Sequence, residues 1–134
     1  MNFDKLYKEA RKICKGRRLS DYAACGSVGS ALLSKDDNIY TGICIDTCSS
    51  LGFCAEHSAI SGLLKHKESE IIEIVAVGED GIVMPPCGRC RELIGQINLK
   101  NRDTIVHLPE GRHKKLRNLL PDHWIGEEVP EDNA

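Results

Sequence analysis

The stretches CAE at residues 54–56 and PCGRC at residues 86–90 decide how this chain is interpreted, and each one opens a predicted helix. Cys87 and Cys90 stand three residues apart, and side chains at this spacing are neighbours on a helix surface. They therefore place two sulfur atoms on one face of a first helical turn. Two sulfurs are half of a tetrahedral metal site, and Cys54 can supply a third.

Zinc suits such a site, because it accepts thiolates and because catalytic zinc keeps three protein ligands and an open position for water. Glu56 is interpreted as an unligated carboxylate that carries protons, since a fourth ligand would close the site. A glutamate two residues after the first ligand, followed later by Pro-Cys-x-x-Cys, is the general signature of zinc deaminases. We therefore expect one zinc ion per chain, bound by Cys54, Cys87 and Cys90.

Four motifs extend this likeness along the chain. They are YTGICID at residues 40–46, CAEHSAI at residues 54–60, PPCGRCREL at residues 85–93 and LLPDHW at residues 119–124. With these motifs in this order, the sequence resembles the cytidine deaminase family, and most closely its blasticidin S deaminase-like members. The resemblance implies a three-layer fold and a zinc-dependent hydrolysis that converts the 4-amino group of a free cytosine nucleoside to a carbonyl.

The resemblance also implies that Glu56 is the catalytic residue. It would take a proton from the zinc-activated water that attacks the amidine carbon, and would then protonate the ring nitrogen and the departing amine, so that ammonia leaves. Family members often carry an arginine directly after this glutamate, but His57 stands there in this chain. Arg89, which lies between two ligands, is therefore the expected donor that offsets the charge of three thiolates.

The substrate-binding residues implied by the resemblance depart from the family pattern. The family holds the ribose with an Asn and a Glu, and Cys44 and Asp46 stand at the matching positions, while Ala55 is also placed at the substrate. A thiol is a poor replacement for an amide, and Asp46 is either an acceptor for a hydroxyl or only a polar loop residue. Gly26 stands where the family usually has a stacking Phe. The preferred substrate therefore remains open among cytidine, deoxycytidine, blasticidin S and other 4-aminopyrimidine nucleosides.

Trp124 is the only tryptophan, and it stands where the family places an aromatic residue near an adjacent subunit's active site. We expect it to cap a pocket across an interface of a homotetramer. The alternative is burial in the core of its own chain, as is usual for a lone tryptophan. A closed symmetric assembly supplies walls for a small polar ligand that one domain of this size lacks.

The composition favours a small-molecule substrate. The 134 residues carry a formal net charge of -2, and 4% of them are aromatic. Such a chain lacks the basic field and the aromatic stackers that a nucleic acid polymer requires, and it has no stretch apolar enough to enter a membrane. The charged N-terminal segment lacks the apolar run of a secretory signal, so we expect a cytoplasmic protein.

Seven cysteines are an odd number, so we expect reduced thiols and no disulfide framework. Other interpretations of the cysteine motifs stay open on the sequence. A structural zinc site would be closed by Glu56 or by a fourth sulfur, and a non-catalytic zinc-binding protein would have no use for a free carboxylate. A thioredoxin-like pair would leave Cys54 unexplained.

Hydrophobic periodicity predicts an α/β fold. Helices are predicted from Phe3 to about Gly16, after Cys54, after Cys87 and at residues 114–120, and strands at residues 27–33, 39–45, 71–77 and 104–108. This order predicts a three-layer α/β/α sandwich with a mixed, about five-stranded sheet. We expect one domain over residues 1–126 and a flexible acidic tail over residues 127–134.

The remaining polar motifs are expected to be structural. The histidines show no metal-ligand spacing and are expected at the surface or in the core; they are His57, His66, His107, His113 and His123. The basic run at residues 114–117 is expected to be a solvated helix face.

Overall fold

A six-stranded mixed sheet forms the middle layer of the computed structural model, which describes residues 1–125. The strands are β1 (Arg17–Arg18), β2 (Ala23–Ser34), β3 (Ile39–Thr47), β4 (Ile71–Gly78), β5 (Ile105–His107) and β6 (His113–Lys115). β2 pairs antiparallel with β3 along one edge, and with β1 and β4 along the other. β4 pairs parallel with β5, and β5 pairs antiparallel with β6. The predicted mixed sheet is confirmed, with six strands where about five are expected.

Helices cover both faces of this sheet. They are α1 (Phe3–Ile13), α2 (Ala55–Lys65), α3 (Gly88–Ile97) and α4 (Leu116–Leu119), and short 3-10 helices span Cys48–Ser50 and Leu99–Asp103. α1 packs on one face through Leu6 and Ala10. α2, α3 and α4 pack on the opposite face through residues that include Ile60, Ile94 and Leu116. The predicted three-layer sandwich is therefore confirmed.

Alternation along the central strands produces two separate cores. Leu32 of β2 and Ile74 of β4 belong to the core beneath α2, whereas Leu33 and Val75 belong to the core beneath α1. A strand that is apolar on both faces reads as a nearly continuous apolar run. β4 is such a strand, and its position between β2 and β5 confirms that it is central.

The edges of the sheet differ from the sequence prediction. β1 and β6 are exposed strands of two and three residues that the periodicity does not predict. β6 occupies residues 113–115, so the predicted helix at residues 114–120 is shorter and comprises only Leu116–Leu119. A short edge strand with both faces in water needs no apolar alternation, which is why the sequence pattern fails there.

The predicted acidic tail at residues 127–134, like the predicted domain end at residue 126, lies outside the described residues. Within residues 1–125, the helices are too short or too polar for any of them to cross a membrane.

α2 approaches the sheet closely at Gly42 of β3. A Cβ atom on Gly42 would lie 2.3 Å from the backbone nitrogen of Ala59 and 2.7 Å from the carbonyl oxygen of Ala55. Both distances are far below the optimum of about 3.5–4.0 Å for non-bonded heavy atoms. Only glycine fits this position without moving the helix. The close approach therefore fixes the first turns of α2, which carry Glu56, relative to β3.

Gly42→Ala is expected to lower the free energy of unfolding by about 1–3 kcal/mol, because α2 must move away from β3 to admit the methyl group. Gly62→Ala in the same helix is the matched control. A Cβ atom there would lie 3.6 Å from Tyr40 Cδ1, which is an ordinary contact, and alanine is favoured over glycine inside a helix by roughly 0.5–1 kcal/mol. Urea unfolding compares the two variants, and equal stability would contradict the close packing.

Candidate active site

The N-termini of α2 and α3 converge on one site. Cys54 is the N-cap residue of α2 and Cys87 is the N-cap residue of α3, and both are extended, with ψ of 157° and 168°. Cys90 lies in the first turn of α3. The unpaired N–H groups at a helix N-terminus carry partial positive charge, which favours thiolates over thiols. The two helix ends thus place partial positive charge beside the sulfurs.

The three sulfurs form the compact group that the sequence predicts. The Sγ atom of Cys87 lies 3.3 Å from that of Cys54 and 3.6 Å from that of Cys90. All three atoms lie within 4.8 Å of one another, and among residues 1–125 this is the group of Cys, His, Asp or Glu side chains that could hold a metal ion. No fourth ligand from the described residues joins it. The alternative of a closed, purely structural zinc site is therefore not supported.

The chemistry of the three thiols suits a divalent cation. Burial, followed by the neighbouring Cys87, raises the pKa of Cys54 to about 11. Burial, followed by the charge of Glu56, raises the pKa of Cys90 far above its usual range. Burial also acts to raise the pKa of Cys87, but hydrogen bonds from the backbone of Cys90 and Arg89 and from the other two thiols together outweigh it and lower that pKa. A bound cation would replace the thiol protons and remove the repulsion among three thiolates.

Glu56 lies in the first turn of α2 and is buried, with only 4% of the residue exposed. A glutamate that served only to stabilise the N-terminus of the helix would be exposed to solvent. Burial raises the pKa of the Glu56 carboxyl above its usual value. A carboxyl adjusted in this direction exchanges protons closer to neutral pH, which is the property required of a general acid and base.

A cavity of about 430 Å³ opens beside the sulfurs and Glu56. The end of β3 forms one wall of it, and the first residues of α2 and α3 contribute another. The predicted substrate-binding residues Cys44, Asp46 and Ala55 all line this cavity. Its volume lies within the range that small-molecule sites usually have.

Cys44 is buried, and its thiol is occupied by neighbouring groups. Its Sγ atom lies 3.3 Å from the backbone nitrogen of Val28, which donates to it, and 3.3 Å from Ser27 Oγ. The Asp46 carboxylate, at the exposed end of β3, lies 3.6 Å from the same sulfur. Of the two predicted ribose-binding residues, Asp46 is therefore the one with acceptor capacity to spare.

The structure does not place Trp124 in this cavity. Its side chain is 82% exposed, and its backbone N–H donates to Glu92 Oε1 of α3 at 2.9 Å. The alternative of burial in the core of its own chain is therefore excluded. The contact of Trp124 with another subunit's pocket stays a prediction.

His57 lies next to the sulfur of Cys90, a contact that the sequence motifs do not predict. Its Nδ1 atom lies 3.3 Å from Cys90 Sγ, and its ring stacks on Phe53 with the centroids 6.1 Å apart. Arg89 lines the cavity, and its guanidinium donates to the carbonyl oxygen of Gly52 at 3.4 Å. Burial, followed by the charge of Arg89, lowers the pKa of His57. Its position three residues after the first motif cysteine, hence on the same helix face, is the sequence signal that could have identified it.

Gly26 leaves no room for a side chain at the position where the family usually has a phenylalanine. Its φ is +86°, and a Cβ atom there would lie 2.2 Å from the carbonyl oxygen of Lys15. The adjacent Ser27 lines the cavity. This wall is therefore built without the aromatic ring, and its shape differs from what the family pattern implies.

Comparison with known proteins gives consistent results. Residues 3–106 match a family model described as the cytidine and deoxycytidylate deaminase zinc-binding region. The cytidine deaminase of Halalkalibacterium halodurans is 34% identical over 107 residues, which cover 76% of this chain and 80% of that protein. The cytidine deaminase of Mycobacterium tuberculosis is 28% identical over 107 residues, covering 79% and 78%. The crystal structure of cytidine deaminase from Mycobacterium leprae superposes with a TM-score of 0.77 at 28% identity, covering 91% of this chain and 99% of that one.

The family match covers most of the chain and includes all three motif cysteines. The chain therefore belongs to the cytidine and deoxycytidylate deaminases, which are zinc-dependent hydrolases of C–N bonds in cyclic amidines. The predicted zinc cofactor is confirmed by this match together with the three-sulfur group. The matched relatives, which are cytidine deaminases, do not favour the alternative of a non-catalytic zinc-binding protein.

Proposed function

We propose that this protein removes the 4-amino group of a free cytosine nucleoside, leaving a carbonyl and releasing ammonia. Cys54, Cys87 and Cys90 hold the zinc ion, and Glu56 remains unligated. The observation that carries the proposal is a cavity of about 430 Å³ lined by Glu56, Cys54 and Cys87. The buried Cys90 completes the three-sulfur group beside it. A storage or structural site has no use for that carboxyl.

The mechanism uses one carboxylate for two successive proton transfers. Zinc held by Cys54, Cys87 and Cys90 would supply Lewis-acid chemistry that activates water as the nucleophile. Glu56 would take the proton from the attacking water and hold it on its carboxyl oxygen, which burial favours because it raises the pKa of this carboxyl. It would deliver that proton to the ring nitrogen of the substrate. It would then take the second proton from the hydroxyl group that has added to the amidine carbon and pass it to the departing amine, so that the carbonyl forms as ammonia leaves. Ammonia is thereby a neutral leaving group.

The surrounding residues bind and orient the substrate in this proposal. Ala55 is fully buried beside Glu56, and its small side chain forms the wall against which the pyrimidine ring lies. Asp46 accepts a hydrogen bond from a sugar hydroxyl. Arg89 offsets the charge of the thiolates from the cavity side. Cys44 closes the wall behind the substrate, since its thiol is committed to the backbone of Val28.

Ammonia release from a panel of substrates tests this function. The panel contains cytidine, deoxycytidine, deoxycytidylate, cytosine and blasticidin S, with single-stranded RNA and DNA as polymers. The zinc-loaded protein is expected to act on at least one free nucleoside and on neither polymer. Blasticidin S turning over faster than cytidine would support the alternative of an antibiotic deaminase. No ammonia from any nucleoside would contradict the proposal.

We also propose that the reaction takes place in the cytoplasm. Zinc binding needs three reduced thiols, and the cytoplasm keeps thiols in that state. All seven cysteines are free in the structure, including the exposed Cys48 and Cys87.

We propose a homotetramer in which neighbouring subunits complete the cavity. Leu51, Ile82 and Met84 are large apolar side chains that are exposed in the single chain, and Met84 also lines the cavity. Trp124 adds an exposed indole. Apolar side chains of this size gain free energy when a neighbouring subunit covers them. The nucleoside would then be enclosed by more than one chain.

Light scattering on the purified protein is expected to give about four times the chain mass. Trp124→Ala is expected to raise KM more than it lowers Tm, because the indole is exposed within its own chain and contributes little to that chain's core. Trp124→Phe, which keeps an aromatic ring, is the matched control and should retain most of the affinity. A monomer with full activity at micromolar concentration would contradict the shared cavity.

A further inference from the structure

Residues 76–84, at the end of β4, fold back on themselves as a short hairpin, the rim hairpin. The backbone N–H of Met84 donates to the carbonyl oxygen of Ala76 at 2.9 Å. Between these residues, Val83 forms an antiparallel bridge with Val77. The returning strand of the rim hairpin is therefore held in register against the end of β4.

Successive residues of this returning strand face opposite sides of the sheet. Val83 is buried in the core beneath α1, whereas Met84 lines the cavity that Glu56 also lines. Pro85, the next residue, lines the same cavity. A shift of the rim hairpin relative to α1 would therefore move a wall of the cavity on the other face of the sheet.

α1 holds the tip of the rim hairpin by hydrogen bonds from two side chains. Tyr7 Oη donates to the carbonyl oxygen of Gly81 at 2.6 Å. Arg11 Nη1 donates to the carbonyl oxygens of Gly78 and Glu79, at 3.3 and 2.9 Å. Tyr7 and Arg11 are four residues apart and share one helix face, so a single face of α1 fixes the whole turn.

Tyr7 is the more rigid of the two anchors. Its ring is half-buried and packs against the core beneath α1, with its centroid 5.5 Å from that of Phe3. Gly81 has a φ of +83°, and a Cβ atom there would lie 3.2 Å from Tyr7 Oη. Glycine thus allows the hydroxyl to approach the turn closely. Arg11 is exposed, so its side chain is less constrained.

The segment that leads to the zinc ligands has an anchor of its own. Arg91 Nε of α3 donates to the carbonyl oxygen of Pro86 at 2.8 Å. Pro86 directly precedes Cys87, the N-cap residue of α3. Loosening the tip of the rim hairpin would therefore displace Met84 and leave the three-sulfur group in place.

We propose that Tyr7 is a positioning residue for the active site. Its hydroxyl, assisted by Arg11, holds the rim hairpin so that Met84 and Pro85 lie against the substrate. This inference rests on the proposed function, because the wall acts on the nucleoside that occupies the cavity. Tyr7 itself lies outside the lining of the cavity. It acts from the opposite face of the sheet, and on substrate affinity, since Glu56 and the sulfurs stand on other elements.

Tyr7→Phe keeps the packed ring and removes the hydroxyl. For cytidine, or for whichever nucleoside the substrate panel identifies, it is expected to raise KM about threefold to tenfold, the range that loss of one hydrogen bond covers. The kcat should stay within about twofold, because the lost interaction acts on binding and not on the chemical step. Zinc content should be unchanged. Calorimetric titration with the product nucleoside should show the same loss of affinity as KM.

Tyr40→Phe is the matched control. Tyr40 is also half-buried, its hydroxyl donates to the carboxylate of Glu68, and it lies outside the lining of the cavity. Both variants should have a lower Tm, but only Tyr7→Phe should have a raised KM. A Tyr7→Phe protein that loses only Tm, or that loses kcat at unchanged KM, would overturn the inference.

A double-mutant cycle with Met84→Ala tests the route from Tyr7 to the cavity. If Tyr7 acts through Met84, its hydroxyl matters less once that side chain is gone. Tyr7→Phe should then raise KM by less than about twofold in the Met84→Ala background. The effects of uncoupled residues multiply, so the same factor in both backgrounds would overturn the inference.

Arg11→Met tests the second anchor without touching the core, since methionine keeps an unbranched side chain of good helix propensity. KM is expected to rise in the same direction as for Tyr7→Phe, by about twofold to threefold. Lys8→Met, at an exposed position of the same helix, is the control and should leave KM unchanged. An equal rise in KM for Lys8→Met would contradict an effect of the turn contacts.

The outcomes also distinguish this inference from the proposed function. An active parent protein whose Tyr7→Phe and Arg11→Met variants keep the parental KM would refute the positioning role and leave the deaminase chemistry intact. A zinc-loaded parent that releases no ammonia from any nucleoside would refute the proposed function, and the role of Tyr7 with it.

Discussion

Glu56→Gln is expected to retain zinc and fold while losing at least about 10²–10⁴-fold in kcat, the usual contribution of a general acid and base. The amide has nearly the shape of the carboxyl but can neither take a proton from water nor return one. Since Glu56 is assigned two transfers in each turnover, the loss should lie at the upper end of this range. Ammonia release at saturating cytidine measures the effect, together with zinc content and Tm.

Glu110→Gln provides the matched control for this substitution. Glu110 is exposed on a turn and lies outside the lining of the cavity, so the same change of chemistry there should leave kcat within about twofold. A Glu56→Gln protein with turnover near that of the parent would refute the assignment of the proton carrier. Loss of zinc from this variant would instead make Glu56 a ligand.

Cys87→Ala is expected to remove zinc and activity together. Loss of a group that only supports a metal ligand already costs roughly 10–100-fold in affinity, so loss of one of three thiolates should exceed about 100-fold. Competition with a zinc chelator measures the affinity, and metal analysis of the purified variant gives its zinc content. Activity should fall in proportion to the zinc lost.

Cys48→Ala separates this effect from the loss of any thiol. Cys48 is exposed and lies outside the three-sulfur group. Its backbone N–H, which alanine retains, donates to the carbonyl oxygen of Tyr22 at 3.2 Å. This variant should keep its zinc and its activity. Full zinc content in Cys87→Ala would contradict the ligand assignment, whatever its activity.

The sequence predicts those features that follow from the spacing or composition of residues within one helix or strand. Cys87 and Cys90 are one helical turn apart, so their proximity follows from helix geometry alone. The apolar run at residues 71–77 corresponds to β4 because a strand buried on both faces has a distinctive composition. The approach of Cys54 to the other two cysteines depends on packing between helices, and the resemblance to a family supplied that information.

The sequence does not predict the environment of a side chain that is set by packing between elements distant along the chain. His57 touches Cys90 only because α2 and α3 pack side by side. Trp124 is exposed, contrary to the usual burial of a lone tryptophan. Composition could not decide between these environments, because each of these residue types occurs both buried and exposed.

The contact of α2 with Gly42 also determines how substrate preference can change. β3 carries Asp46 and Thr47 on the same strand as Gly42, while α2 begins beside Cys54 and carries Glu56. Because the helix rests directly on backbone at Gly42, it cannot slide along the strand to lengthen or shorten the cavity. The separation between Asp46, which we propose meets the sugar, and Glu56, which we propose transfers protons, is therefore constant. Adaptation to a larger or smaller nucleoside would proceed by replacing side chains on the cavity wall, with the two backbones left where they are.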